Sequence, residues 1–147
     1  MDTLLTHTAP TIAIACAGIF FMSGLLTGAW KYLCMTSSPD FKAPFYVDTA
    51  HRASLMYAFA ALLVAVFAYY SDFPAWLNIA ATVGPLLFFG LSILLYIKLG
   101  LENQTDNNLR DDKSPATTRI AMRLLMLAEI GGFGVLLLGF FLRLAKA

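Results

Sequence analysis

The sequence predicts an all-α integral membrane protein: one domain, 1–147, built as a four-transmembrane-helix bundle. Three observations carry that expectation. The chain is 59% hydrophobic and 13% charged, against ~25% charged residues in an ordinary water-soluble domain. Four apolar segments, at about 10–35, 47–70, 75–100 and 118–144, are each long enough to cross ~30 Å of hydrocarbon as a helix. None of them alternates with the period of two that a barrel strand needs, and a helix satisfies its own backbone hydrogen bonds where lipid cannot.

The first segment is expected to stay in the protein as a helix. No Lys or Arg precedes Lys31, so the positive region of a secretory signal is missing, and the apolar run is too long for one. Gly24-Leu25-Leu26-Thr27-Gly28 is a GxxxG pattern, which lets helices approach closely and serves either an oligomer contact or packing within the chain. Cys16 and Cys34 would lie ~27 Å apart on one helix, too far for a disulfide, and read as small packing residues. Ser37-Ser38-Pro39-Asp40 ends this segment, and Ser71-Asp72-Phe73-Pro74 makes the tight turn between the second and third. Pro85 is expected to kink the third helix and free a carbonyl or two. The polar stretch from Glu102 to Thr117 has the composition of a flexible loop. Gly131, Gly132 and Gly134 thin the fourth helix.

Eight of the ten Lys and Arg residues (Lys31, Lys42, Arg52, Lys98, Arg110, Lys113, Arg119 and Arg123) flank or occupy the first and third loops. The positive-inside rule places those loops in the cytoplasm and both termini outside. The formal net charge of +1 gives no reason to expect a nucleic-acid partner. Two histidines and no clustered cysteines speak against a zinc or iron–sulfur site. No nucleophile-elbow, Walker or dinucleotide pattern supports a soluble-type hydrolase, kinase or dehydrogenase.

Ionisable residues inside a membrane are expensive and mark candidate sites. Asp48, His51 and Arg52 open the second helix, Tyr96 and Lys98 close the third, and Arg119 and Arg123 open the fourth. The topology brings all of them to one depth. For Lys98 and Arg119 the plainer reading is snorkelling to the interface. His51 is either a hydrogen-bonding interfacial residue or a ligand. Asp48 either orients it or pairs with Arg52 at i,i+4. Glu129 falls near the bilayer centre, where a charge costs about 3 kcal/mol. It is expected to be protonated or paired in the bundle, as a polar helix–helix contact ahead of a proton relay.

Ala50-His51 at the start of the second helix, Tyr96 forty-five positions later, and the runs Leu124-Leu125-Met126-Leu127-Ala128 and Phe133-Gly134-Val135-Leu136 in the last helix carry a resemblance over residues 45 to 143. In order and spacing the chain resembles the styrene oxide isomerases, small four-helix bacterial inner-membrane enzymes that bind haem b and assemble as homotrimers. The resemblance implies haem b with His51 as the metal's axial ligand. It implies a Lewis-acid isomerisation of a small apolar epoxide to an aldehyde, with Tyr96 facing the open side of the iron. Given haem, Arg52, Lys98 and Arg123 are the cations expected to hold its propionates, and Phe45, Tyr46, Phe88 and Phe89 the rings expected to wall it. The chain departs from the family where the epoxide is gripped. Tyr57 stands in place of an asparagine six residues after the histidine, and Phe88 and Ser92 in place of an aspartate and an asparagine on the tyrosine's helix face. Tyr57, Ser92 and Tyr96 are therefore the candidate catalytic residues, for a substrate that differs from the family's. Two other classes compete. One is a glutathione-dependent membrane transferase, which lacks its Asn-x-x-Glu signature here. The other is a non-enzymatic accessory subunit of a membrane complex.

Overall fold

A computed structural model describes residues 7–146, all helix and connecting loop with no strand among them. Helix α1 spans Thr8–Thr36, α2 Phe45–Tyr70 and α3 Ala75–Glu102. The fourth span, Pro115–Leu144, is three pieces: α4, Pro115–Met126, a single π turn at Leu127–Gly131, and α5, Gly132–Leu144. All four spans are long and apolar enough to cross a membrane, and their bounds lie within three residues of those the hydropathy predicts.

Proline and asparagine set the helix ends. Pro44 and Pro74 stand immediately before α2 and α3, and Pro115 opens α4. There a missing N–H costs nothing and a fixed φ favours the first turn. Asn103, with φ 45°, closes α3 in the left-handed conformation and donates its N–H to the Leu99 carbonyl at 2.9 Å.

The seam between α1 and α2 is made largely of small residues. Ala9, Ala13 and Ala17 on α1 and Ala58, Ala61, Ala65 and Ala68 on α2 are buried. Their spacing of three and four puts each set on one helix face, so the two backbones approach closely, as lipid-embedded helices do. Many large apolar side chains point outward, among them Leu26, Phe59, Leu94 and Ile130, while Phe20, Leu86, Phe89, Ile93 and Leu136 are buried. That outward display is expected when the solvent is lipid. The turn between α2 and α3 is tied down by Asn78, which donates to the Phe73 carbonyl at 2.9 Å, and by the Asp72 N–H, which donates to the Gly139 carbonyl of α5 at 3.1 Å. Cys16 and Cys34 are free thiols.

The exposed loop after α3 carries a hydrogen-bond network of its own. Arg110 bonds Asp106 and Asp111 at 2.9 Å each, Thr105 donates to Asp111 at 2.5 Å, and the Asn108 N–H donates to the Tyr46 hydroxyl at 2.7 Å. The Arg110 and Thr105 bonds hold the Asp111 carboxyl down at about 2. A carboxyl depressed on folding stabilises above its unfolded value and loses that contribution as pH falls through its folded value. The loop network is thus expected to persist to about pH 4 and to fail between about pH 4 and pH 2. An NMR titration should find the Asp111 carboxyl titrating near 2, and returning to the ordinary carboxylate range in Arg110→Ala.

Candidate functional site

The end of the bundle that carries the first and third loops is the basic end. There α1 and α2 meet as a ladder of opposed residues. Gly24 faces Leu55, and Gly28 faces His51. One turn nearer the basic end, Lys31 pairs with Asp48 at 2.5 Å. The GxxxG pattern is therefore used within the chain: its two glycines remove the side chains that would otherwise hold α2 away. At Gly28 a Cβ would stand 2.8 Å from His51 Cε1 and 3.0 Å from Nδ1. The imidazole fills the space that Gly28 leaves.

The ring is oriented by the backbone of α1. His51 Nδ1 lies 2.8 Å from the Gly24 carbonyl oxygen. A carbonyl can only accept, so Nδ1 carries the proton and donates, and in the neutral ring the lone pair sits on Nε2. Asp48 does not orient the ring. Its carboxylate is taken by Lys31 and, at 3.6 Å, by Arg52. Arg52 and Lys98 are largely exposed, the latter 3.8 Å from Glu102, and Arg123 is exposed on α4.

A second constellation lies on another seam. Tyr57 is six residues past His51, about 120° around α2, and stacks on Phe89 of α3 with ring centroids 4.5 Å apart. Its hydroxyl pairs with Ser92, and Tyr96 and Glu129 lie in its electrostatic neighbourhood. Tyr96 stacks on Tyr46 at 6.1 Å. One Glu129 carboxyl oxygen is buried with no hydrogen-bond partner. The structure thus pairs Tyr57 with Ser92 and sets Tyr96 and Glu129 in their neighbourhood, with Tyr57 about 120° around α2 from His51. Of the rings expected to wall a porphyrin, Tyr46 and Phe89 are buried in the contacts with Tyr96 and Tyr57, Phe88 is half-buried, and Phe45 is exposed.

The fourth span shapes this second seam. α5 packs on α2 and α3, and the π turn packs on α3. α4 has no buried residue and packs appreciably only against the π turn that continues it. The span is docked in its half away from the basic end and stands off in the half near it. Glu129 lies in the π turn. Sequence reasoning missed two things: the seating of His51 by Gly24 and Gly28, and the Lys31–Asp48 pair. The signal for both was the mirrored spacing of Gly24, Gly28 and Lys31 against Asp48, His51 and Leu55.

Among the described residues no three His, Cys, Asp or Glu side chains gather as a chelating metal site. A one-ligand site such as a haem iron needs no such gathering. No family model, curated protein or solved structure matches the chain. Fold and site together define a multi-pass four-helix membrane protein with one seated imidazole and one intramembrane cluster of hydroxyls around a carboxyl.

Proposed function

We propose that this chain is a haem b-binding protein of the bacterial inner membrane, similar to the styrene oxide isomerases, with Nε2 of His51 as the axial ligand. One observation carries the reading: the hydrogen bond from Nδ1–H to the Gly24 carbonyl. Metal-ligating histidines almost always donate their other ring N–H in this way, which fixes the tautomer and raises the basicity of the ligating nitrogen. Arg52, Lys98 and Arg123 are the cations available for propionates at the basic end, which the positive-inside rule turns to the cytoplasm. When bound, ferric haem supplies a Lewis acid toward an oxygen of a small apolar substrate.

This chain's own part is to hold the imidazole in place through Gly24 and Gly28. Tyr57, Ser92 and Tyr96 are the groups proposed to hold a substrate. They share a seam with Glu129 and not with His51, so the haem reading stands on His51 and not on them. A homotrimer with both termini outside belongs to the same proposal. Protein purified from cells supplied with haem should carry a Soret band, and His51→Ala should lose it entirely. A colourless wild-type preparation overturns the reading.

A further inference from the structure

We infer that the end of the bundle opposite the basic end holds one phospholipid headgroup. Arg143 takes its phosphate, and Asn78 accepts an N–H or O–H from the group the phosphate carries. Ethanolamine and glycerol headgroups have such a donor, and choline does not. The site is remote from His51 and stands whether or not haem is bound.

A cavity of about 220 Å³ lies there between the start of α1, the α2–α3 turn and the end of α5. His7, Tyr69, Ser71, Asn78 and Arg143 supply its polar lining. Of the ten Lys and Arg residues, only Arg143 and Lys146 stand at this end. Lys146 is taken by Asp72. Arg143 makes no ion pair among the described residues, and its guanidinium sits over the Tyr70 ring, 5.6 Å from the centroid. A ring offers no oxyanion to a planar fork of donors, and a phosphate matches that fork in two parallel bonds. His7, whose ring lies against Tyr69 at 4.9 Å, brings an imidazole N–H to the same lining.

Asn78 gives the site its selectivity. The residue is 8% exposed. Its amide N–H is committed to the Phe73 carbonyl at 2.9 Å, which settles the end of the amide that accepts. That end, Oδ1, has no donor among the described residues. A buried acceptor without a donor is costly, and a ligand that brings one recovers the cost.

The depth is that of a headgroup. Tyr69, Tyr70 and Trp76 are exposed around the same turn, the girdle that aromatic residues form at a membrane–water interface. An arginine near a helix end commonly snorkels among the phosphates without holding any one of them. Here the cavity, the unpaired amide oxygen and the aromatic girdle fall in one place. A hydrocarbon tail would leave Arg143 and the Asn78 oxygen unpaired, and a metal cation would meet the charge of Arg143. Inorganic phosphate shares the headgroup's chemistry without its tether, so it forms one arm of the test.

The test uses the full chain in detergent, with lipid adducts counted by native mass spectrometry. The probes are dioleoyl phosphatidylethanolamine, phosphatidylglycerol and phosphatidylcholine, and inorganic phosphate added as its ammonium salt. One ethanolamine or glycerol lipid per chain should bind about tenfold more tightly than the choline lipid, the worth of one good buried hydrogen bond. The ethanolamine lipid alone doing so marks an ammonium donor, and the glycerol lipid alone a hydroxyl. Arg143→Gln should weaken the preferred lipid at least about tenfold, and Asn78→Leu should erase the preference over choline. Asn78 also pins the α2–α3 turn, so if Asn78→Leu fails to fold, Arg143→Gln, at an exposed side chain, carries the decision. Arg119→Gln, at the basic end, is the control and should change nothing. Three results overturn the inference: the choline lipid binds as tightly as the other two, Arg143→Gln binds as the wild type does, or millimolar inorganic phosphate displaces the lipid. The last would make the cavity an ion site.

Discussion

Gly28→Ala is expected to weaken haem retention by about 10–100-fold while leaving the helical bundle folded, the range typical when a ligand's supporting shell is removed. The added Cβ would lie 2.8 Å from Cε1 and 3.0 Å from Nδ1 of His51, closer than real carbon atoms pack. What it strikes is the far end of a side chain, so the ring can swing aside at small cost to the fold. The swing breaks the 2.8 Å bond to the Gly24 carbonyl. The fold loses about one hydrogen bond, ~1 kcal/mol, and the imidazole loses the partner that fixes its tautomer. Gly18→Ala is the control: nothing lies within 4 Å of a Cβ built there, so haem content should not change. Haem per protein from the Soret absorbance, with circular dichroism on the same samples, separates the outcomes. If Gly28→Ala kept full haem with an unshifted Soret band, seating by α1 would have no part in ligation.

The four spans could be read from the sequence because hydropathy over twenty residues is a property of composition, and lipid leaves few alternatives to a helix. That Ser92 and Tyr96 share one face of α3 was legible too, since residues at i,i+4 do so on any helix. What could not be read was which face meets which helix. Gly24 and Gly28 look the same whether they seat a second chain, as in many membrane dimers, or a histidine of their own chain. Only the position of α2 decides between them. Glu129 announced itself by its charge in an apolar run, but its partners depend on the π turn, which follows from packing on α3. The polar composition of the third loop did not show which of its residues pair: Asp106, Asn107, Arg110 and Asp111 hydrogen-bond one another and Thr105. The stand-off of α4 had a faint signal in Thr117, Thr118, Arg119 and Arg123, four polar residues where a buried span would be apolar.

Gly132→Ala should destabilise the protein by about 2–3 kcal/mol, the upper part of the range for overpacking, and should do so through backbone. Pro85 has no N–H, so the Ala81 carbonyl of α3 loses its usual partner four residues on. Gly132 packs on that oxygen. A Cβ there would stand 2.6 Å from it and 2.7 and 2.8 Å from the proline's Cγ and Cδ. None of these atoms is the loose end of a side chain, so α5 must move as a unit. The hydrogen that takes the place of this Cβ points at the oxygen, the arrangement of a weak C–H···O contact suited to a carbonyl with no other donor. Gly131→Ala, next door, meets nothing within 4 Å and should be near neutral. Unfolding by denaturing detergent in mixed micelles measures both. The decisive variant is Gly132→Ala with Pro85→Ala, which returns an N–H to Ala81 and removes the ring atoms. The pair is expected to recover on the order of 1 kcal/mol relative to the sum of the single changes, a coupling normal for residues in contact. Strict additivity would mean that Gly132 matters for some reason other than the carbonyl Pro85 exposes. The docking of the fourth span, and with it the placing of Glu129, would then need a different physical cause.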